Sequence, residues 1–217
     1  MKRNQIITII SRKGAGKSVM MQYLTLLNPK SCFIFDPTGS LQPFKNRIFF
    51  DYEIYGDSGF KKLCNKIGTR LYYQKIDIVI QNCENVENIL EIIYYNMQGV
   101  AIVIDEIDLC YKPYISNESI LYKLCNFGRH KEIDLIGVAR RPANVPRALT
   151  SQSDFIFLGI HNKEPRDESY LKEFISKQAI NDYNSIALYE FLKIDLTKHN
   201  HSKIKLSPQI LNTIGVK

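Results

Sequence analysis

The chain has 217 residues, 45% hydrophobic and 24% charged, which suits one packed domain over 1–217 and excludes a disordered or fibrous chain. A net charge of +7 and a pI near 9.1 favour an anionic partner such as nucleic acid. The five cysteines form no Cys-x-x-Cys pair and no zinc spacing with the four histidines, so reduced thiols in a cytosolic setting are expected rather than a disulfide scaffold or zinc module.

The chain opens on its strongest signal. Ile6, Ile7, Thr8, Ile9 and Ile10 form a β-branched run that predicts a buried strand. A short loop follows and closes with Gly16, Lys17 and Ser18, and a helix-like stretch comes next. Strand, glycine loop and helix in that order make a P-loop. Gly14 and Gly16 let backbone N–H groups turn inward around phosphate oxygens, and the start of the helix adds its free N–H groups and positive dipole end. Ser11, Arg12, Lys13, Gly14, Ala15, Gly16, Lys17, Ser18 and Val19 are therefore expected to hold the phosphates of ATP. Lys17 can reach the β- and γ-phosphates, and the Ser18 hydroxyl can hold Mg²⁺. The pattern departs from G-x-x-x-x-G-K-[ST] at its first glycine, which is Ser11 here; serine is small and tolerated in turns.

Ser18 to Leu27 predicts a helix stopped by Pro29, with Met20, Met21, Leu24 and Leu27 inward. A second strand is expected from Ser31 to Asp36, ending in the turn Asp36, Pro37, Thr38, Gly39. Asp36 could approach the nucleotide or its metal, or simply cap that turn. Arg47 to Phe50 reads as a short strand, Ser58 to Ile67 as a helix with Phe60, Leu63, Cys64 and Ile67 inward, Ile76 to Ile80 as a strand, and Val86 to Met97 as a helix. This alternation predicts an α/β fold, a P-loop NTPase with a mainly parallel central sheet flanked by helices.

Val100 to Ile104 is an apolar run that ends in Asp105 and Glu106, the Walker B form. A strand buried on both faces would deliver Asp105 beside the P-loop to hold Mg²⁺, with Glu106 orienting and deprotonating the attacking water. Asp108 reads as a cap. A polar loop spans Tyr111 to Ser119, and a helix from Ile120 to Phe127 is expected to stop at Gly128. Ile133 to Ala139 predicts a strand, Ala143 to Thr150 a short helix or turn, and Asp154 to Ile160 another strand. Pro165 to Lys177 reads as one helix, Ile186 to Leu196 as a strand, and Lys203 to Leu206 as an edge strand. The run His199, Asn200, His201 is expected in a solvated loop, and no apolar stretch reaches membrane-spanning length.

Arg129, Arg140, Arg141 and Arg147 flank the strand from Ile133 to Ala139. Arg140 and Arg141 follow it directly and so lie at its carboxyl edge, near phosphate. Arg129 ends the preceding helix and could project to a neighbouring subunit, as an arginine that stabilises transition-state charge in trans. Arg129 ranks first for that role and Arg140 or Arg141 second.

Together these residues resemble the FtsK–HerA branch of P-loop motor ATPases. The run RHKEIDLIGVARRPANVPRALTSQSDFIFLG after IVIDE shares that family's order: Gly-Arg-His near a helix end, a strand, Arg-Pro, a short helix, then Gln/Ser-x-Asp (Gln152 to Asp154 here) before the next strand. Glu164, Pro165, Arg166 and Asp167, followed by Tyr170 and Leu171, are also similar to it. The likeness covers most of residues 5 to 195, with Gly128 to Asp154 its specific part. Many members carry Thr-Gln before Arg-Pro, the Gln sensing the γ-phosphate; here those positions are Ala139 and Arg140, so Arg140 could be the sensor.

The small size resembles the genome-packaging ATPases of membrane-containing, double-jelly-roll viruses and phages. That resemblance implies a hexameric or pentameric ring, soluble in the host cytoplasm or associated with the virion without membrane insertion. The ring would hydrolyse ATP to push DNA, single- or double-stranded, into a capsid whose vertex proteins it contacts. A conjugation or plasmid-transfer motor is the alternative within the class, and a small-molecule kinase the alternative outside it.

Overall fold

The computed structural model describes residues 4–39, 41, 47–68, 74–161 and 164–214. Nine strands among them form one sheet. They are β1 (Ile6–Ile10), β2 (Cys32–Asp36), β3 (Arg47–Asp51), β4 (Asp77–Gln81), β5 (Ala101–Ile104), β6 (Asp134–Ala139), β7 (Phe155–Leu158), β8 (Glu190–Asp195) and β9 (Asn200–Lys205). The spatial order is β3-β4-β2-β5-β6-β1-β7-β8-β9. The first seven strands in the chain run parallel, and β8 and β9 add antiparallel beyond β7.

The sequence explains the layering. β1, β2, β5 and β6 are buried along their whole length, as continuous apolar runs require when helices cover both faces of a parallel sheet. One face packs against α1 (Lys17–Leu27) and α9 (Pro208–Ile214), around Met20, Met21, Ile34, Val103 and Phe191. The opposite face packs against α2 (Tyr52–Gly68), α3 (Val86–Asn96), α5 (Ile120–Phe127), α6 (Arg147–Gln152), α7 (Pro165–Lys172) and α8 (Lys177–Tyr183). A one-turn α4 (Ile107–Cys110) follows β5. The outer strand β9 exposes Ser202, Lys203 and Lys205, and lysines on an edge discourage pairing with another chain.

Several elements differ from expectation. Leu27 is 58% exposed, and the buried side of α1 is Met20, Met21, Gln22 and Thr25. Thr25 sits there at no polar cost because its hydroxyl donates to the Met21 carbonyl at 2.7 Å. α2 begins six residues earlier than Ser58, with a break at Gly56. Its Phe60 and Cys64 point inward and Leu63 is half-buried; the side chain of Ile67 lies outside the described residues.

Asp108 lies inside α4 rather than just before it, and its carboxylate is held by backbone N–H groups, its own and that of Arg140 in the loop after β6. α5 does stop at Gly128 as expected; the glycine is right-handed there and leads into a 3-10 turn, Gly128–Lys131, and the left-handed residue is Glu132. The helix expected over Pro165 to Lys177 is two helices, because the Ser176 hydroxyl accepts the Ala179 N–H and starts α8 afresh. His201 is not in a loop; it sits on β9 and pairs with Asp182 at 2.5 Å. α4, α8 and α9 carry no strong sequence signal of their own.

Candidate nucleotide-binding site

The loop between β1 and α1 is set by backbone chemistry. Gly14 and Gly16 both adopt positive φ, 78° and 89°, which a side chain would strain. Gly16 has a second reason to lack a side chain: a Cβ there would lie 2.5 Å from Leu206 Cδ1. Arg12, Lys13 and Gly14 are exposed, Ala15 and Lys17 are buried, and Ser18 and Val19 are half-buried at the start of α1.

The Ser11 departure has a structural counterpart across the sheet. Ser11 is fully buried, its N–H donates to Ala139 O at 3.1 Å, and its hydroxyl donates to Ile160 O at 3.1 Å. The next N–H, of Arg12, donates to the same carbonyl at 2.8 Å. Gly159 provides the room, since a Cβ on it would approach Ser11 Oγ to 2.6 Å. The small residue missing from the loop is therefore found just past the end of the neighbouring strand β7.

β5 does not adjoin β1; β6 runs between them. The P-loop and the Asp105–Glu106 pair are thus two strand spacings apart, about 10 Å, with the end of β6 in the middle. That end carries Arg140. Glu106 follows β5 with a left-handed backbone (φ 50°), an unusual state for a residue with a long side chain. Its buried carboxylate spans the gap: one oxygen is 2.9 Å from Lys17 Nζ, and the other pairs with Arg140 Nε. Three residues from three elements, far apart in sequence, form one ionic chain of two cations on a single carboxylate.

Asp105 is buried beside them, and its carboxylate accepts the Glu106 N–H at 2.9 Å. Burial raises its pKa from the ordinary carboxyl value to about 6; Lys17 opposes the rise, while Glu106 and Asp36 add to it. The folded protein therefore takes up a proton between about pH 4 and 6 that the unfolded chain does not. The group costs stability above that window and less as pH falls through it. In the magnesium-free protein the Asp105 carboxyl is expected to titrate near pH 6 by NMR, and a midpoint near 4 would contradict this environment.

Asp36 takes the turn-capping option. It is fully buried; one carboxylate oxygen accepts the Leu41 N–H at 2.8 Å and the Gln81 amide at 2.9 Å, and the other accepts the Thr38 hydroxyl.

The remaining arginines separate. Arg141 turns onto α7, where its Nε and Nη2 lie 3.2 and 3.1 Å from the fully buried Asp167 and Nη2 also pairs with Glu164. Asp167 also accepts the Ala143 N–H at 3.0 Å. Arg147 pairs with Glu173 and stacks over Tyr170. Arg129 is exposed on the 3-10 turn that precedes β6, so it lies at the amino-terminal edge of the sheet, away from its own P-loop.

What the arrangement defines first is a class. A mainly parallel sheet, a glycine loop feeding α1, and an acidic pair two strands away make the fold that of a P-loop NTPase. No family profile matches the chain, and no curated protein matches it in sequence. Among solved structures, the chain is similar to the genome packaging NTPase B204 of Sulfolobus turreted icosahedral virus 2. In the sulfate complex the TM-score is 0.73 at 17% identity, over 94% of this chain and 98% of that one. B204 has also been solved with ATP-gammaS, where the TM-score is 0.71 at 16% identity. VirB4 of Thermoanaerobacter pseudethanolicus matches with a TM-score of 0.58 at 12% identity, over 96% of this chain and 91% of that one. The N-terminal domain of zonular occludens toxin from Neisseria meningitidis gives 0.51 at 13%, over 97% and 98%.

Among the described residues no helix is long and apolar enough to cross a membrane.

Proposed function

We propose that the protein is an ATP-hydrolysing DNA translocase that packages a viral genome into a preformed capsid as an oligomeric ring. The observation that carries the hydrolytic part is the Lys17–Glu106–Arg140 chain at the mouth of the P-loop. The fold likeness to B204, with nearly the whole of both chains aligned, supports the packaging part.

The chain of charges reads as a resting state. With each carboxylate oxygen turned to a cation, Glu106 is aimed at Lys17 and Arg140 rather than at a water. A triphosphate entering the cradle competes for Lys17 and Arg140 with its β- and γ-oxygens. That competition frees Glu106 to take a proton from the attacking water, while Arg140 stays on the γ-phosphate as its sensor. Base activation then depends on a triphosphate being present.

The residues also fit a magnesium ion. Ser18 and Asp105 would hold it, and the surrounding carboxylates make a cation favourable there; when bound it supplies neutralisation of the phosphate charge. Among the described residues no cluster of three or more His, Cys, Asp or Glu side chains could hold a metal alone, in keeping with an ion held largely by phosphate and water.

Arg129, exposed at the opposite edge, remains the candidate to complete a neighbour's site. Arg129→Ala subunits mixed into wild-type rings are expected to depress ATP turnover by more than their share. A decline that only tracks the wild-type fraction would remove Arg129 from that role.

The fold likeness to VirB4 supports the second reading, a conjugation or plasmid-transfer motor. ATPase rate with and without double-stranded DNA, measured beside mass in solution, tests the motor reading. DNA stimulation by a ring-sized particle supports it. A monomer whose hydrolysis ignores DNA and rises with a small acceptor would replace it with a kinase. Uptake of DNA by empty capsids separates packaging from conjugation.

A further inference from the structure

The face of the P-loop at Gly16 is closed by the carboxyl-terminal hairpin. A Cβ on Gly16 would meet three side chains: Leu206 at 2.5 Å, Tyr189 at 3.2 Å and Phe191 at 3.8 Å. Two of them belong to the core, Phe191 at 0% exposure and Leu206 at 8%. Packing explains those two. It does not explain Tyr189, which is 49% exposed although its ring touches the loop.

The backbone at Tyr189 sharpens the question. Its φ is 64°, in the left-handed region that aromatic residues rarely occupy. The turn that imposes this is firmly bonded. Tyr189 O accepts the Leu206 N–H at 2.9 Å, Glu190 N donates to Ala187 O at 3.1 Å, and the Glu190 carboxylate accepts the Ala187 N–H at 2.9 Å. The turn thus holds an aromatic ring in a fixed place, between the phosphate cradle and solvent, at a conformational cost that burial does not offset.

We propose that Tyr189 is the platform on which the base of the bound nucleotide stacks. This rests on the reading of the P-loop as a triphosphate cradle. With its phosphates on the N–H groups of the loop and of the start of α1, a nucleotide must lay its base against whatever borders that loop. The border on the Gly16 side is the Tyr189 ring, with the exposed Leu188 next to it in the chain. A flat, apolar base face and a half-exposed phenol ring are complementary, and stacking uses the π-face that every base has. The platform therefore discriminates little between bases, and ATP and GTP are expected to bind within about tenfold of each other.

Inorganic tripolyphosphate separates the platform from the cradle, because it has phosphates and no base. Its affinity and that of ATP are to be measured by calorimetry on the wild-type chain, Tyr189→Ala and Tyr189→Phe. Tyr189→Ala is expected to weaken ATP about 10–100-fold, Tyr189→Phe by no more than about threefold, and neither should change tripolyphosphate affinity. Wild-type ATP affinity in Tyr189→Ala would overturn the platform and leave the cradle standing. Equal losses for ATP and tripolyphosphate would overturn it too, and would make the ring a support for the loop. A wild-type chain that binds neither would sink the cradle and the platform together. The chain has no tryptophan, so Tyr189→Trp gives a lone reporter. Its emission is expected to change with ATP and not with tripolyphosphate; an emission blind to ATP counts against the platform.

Discussion

Glu106→Gln is expected to bind ATP at least as tightly as the wild-type chain while hydrolysing it about 10²–10⁴-fold more slowly. The amide keeps the shape of the carboxylate and loses its basicity. It also gives up the negative charge that Lys17 and Arg140 share in the resting state, so the incoming phosphates have less to displace. Affinity that stays level or rises while turnover collapses is the signature of a base that is also a latch. Binding by calorimetry and turnover by phosphate release check it, with a thermal melt to show that the variant folds. Turnover near the wild-type rate would mean that another group activates the water.

The second large effect divides two adjacent arginines. Arg140→Ala is expected to lower turnover about 10²–10³-fold with little change in stability, because it removes, from an exposed position, the donor proposed to meet the developing phosphate charge. Arg141→Ala is expected to do the opposite. It leaves the buried Asp167 short of its cationic partner and should cost roughly 2–3 kcal/mol of stability, with turnover per folded molecule changed only modestly. Urea denaturation beside turnover on both variants tests the division. Equal kinetic effects would mean that Arg141 leaves Asp167 during the cycle.

Much of this was legible in the sequence, for identifiable reasons. The buried parallel strands announce themselves as apolar runs, and the loop and Walker B residues lie at strand ends, where local pattern and tertiary place coincide. Position across the sheet was not legible. Nothing local says that β6 runs between β1 and β5, and so that Arg140 meets Glu106 while its neighbour Arg141 does not. The hidden pairings share a cause: Ser11 with Gly159, Arg141 with Asp167 and Gly16 with Leu206 all join segments distant in the chain, and a periodicity scan sees only neighbours. The pairing of Arg141 with Asp167 explains the similarity at Arg-Pro and Glu-Pro-Arg-Asp as well. Those two stretches form one clasp, through Arg141, Ala143 and Asp167.

The place of β1 in the sheet also bears on how the protein is made. Residues 6–10 are synthesised well before their two strand partners, β6 and β7, at residues 134–139 and 155–158. The chain must close loops of more than a hundred residues before its first strand is flanked on either side, and such closures are slow. The nucleotide pocket therefore cannot be completed on the ribosome before β6 and β7 have been made. Until β6 is made this apolar strand has no neighbour, so shortened chains that stop before β6 are expected to aggregate rather than to bind ATP weakly.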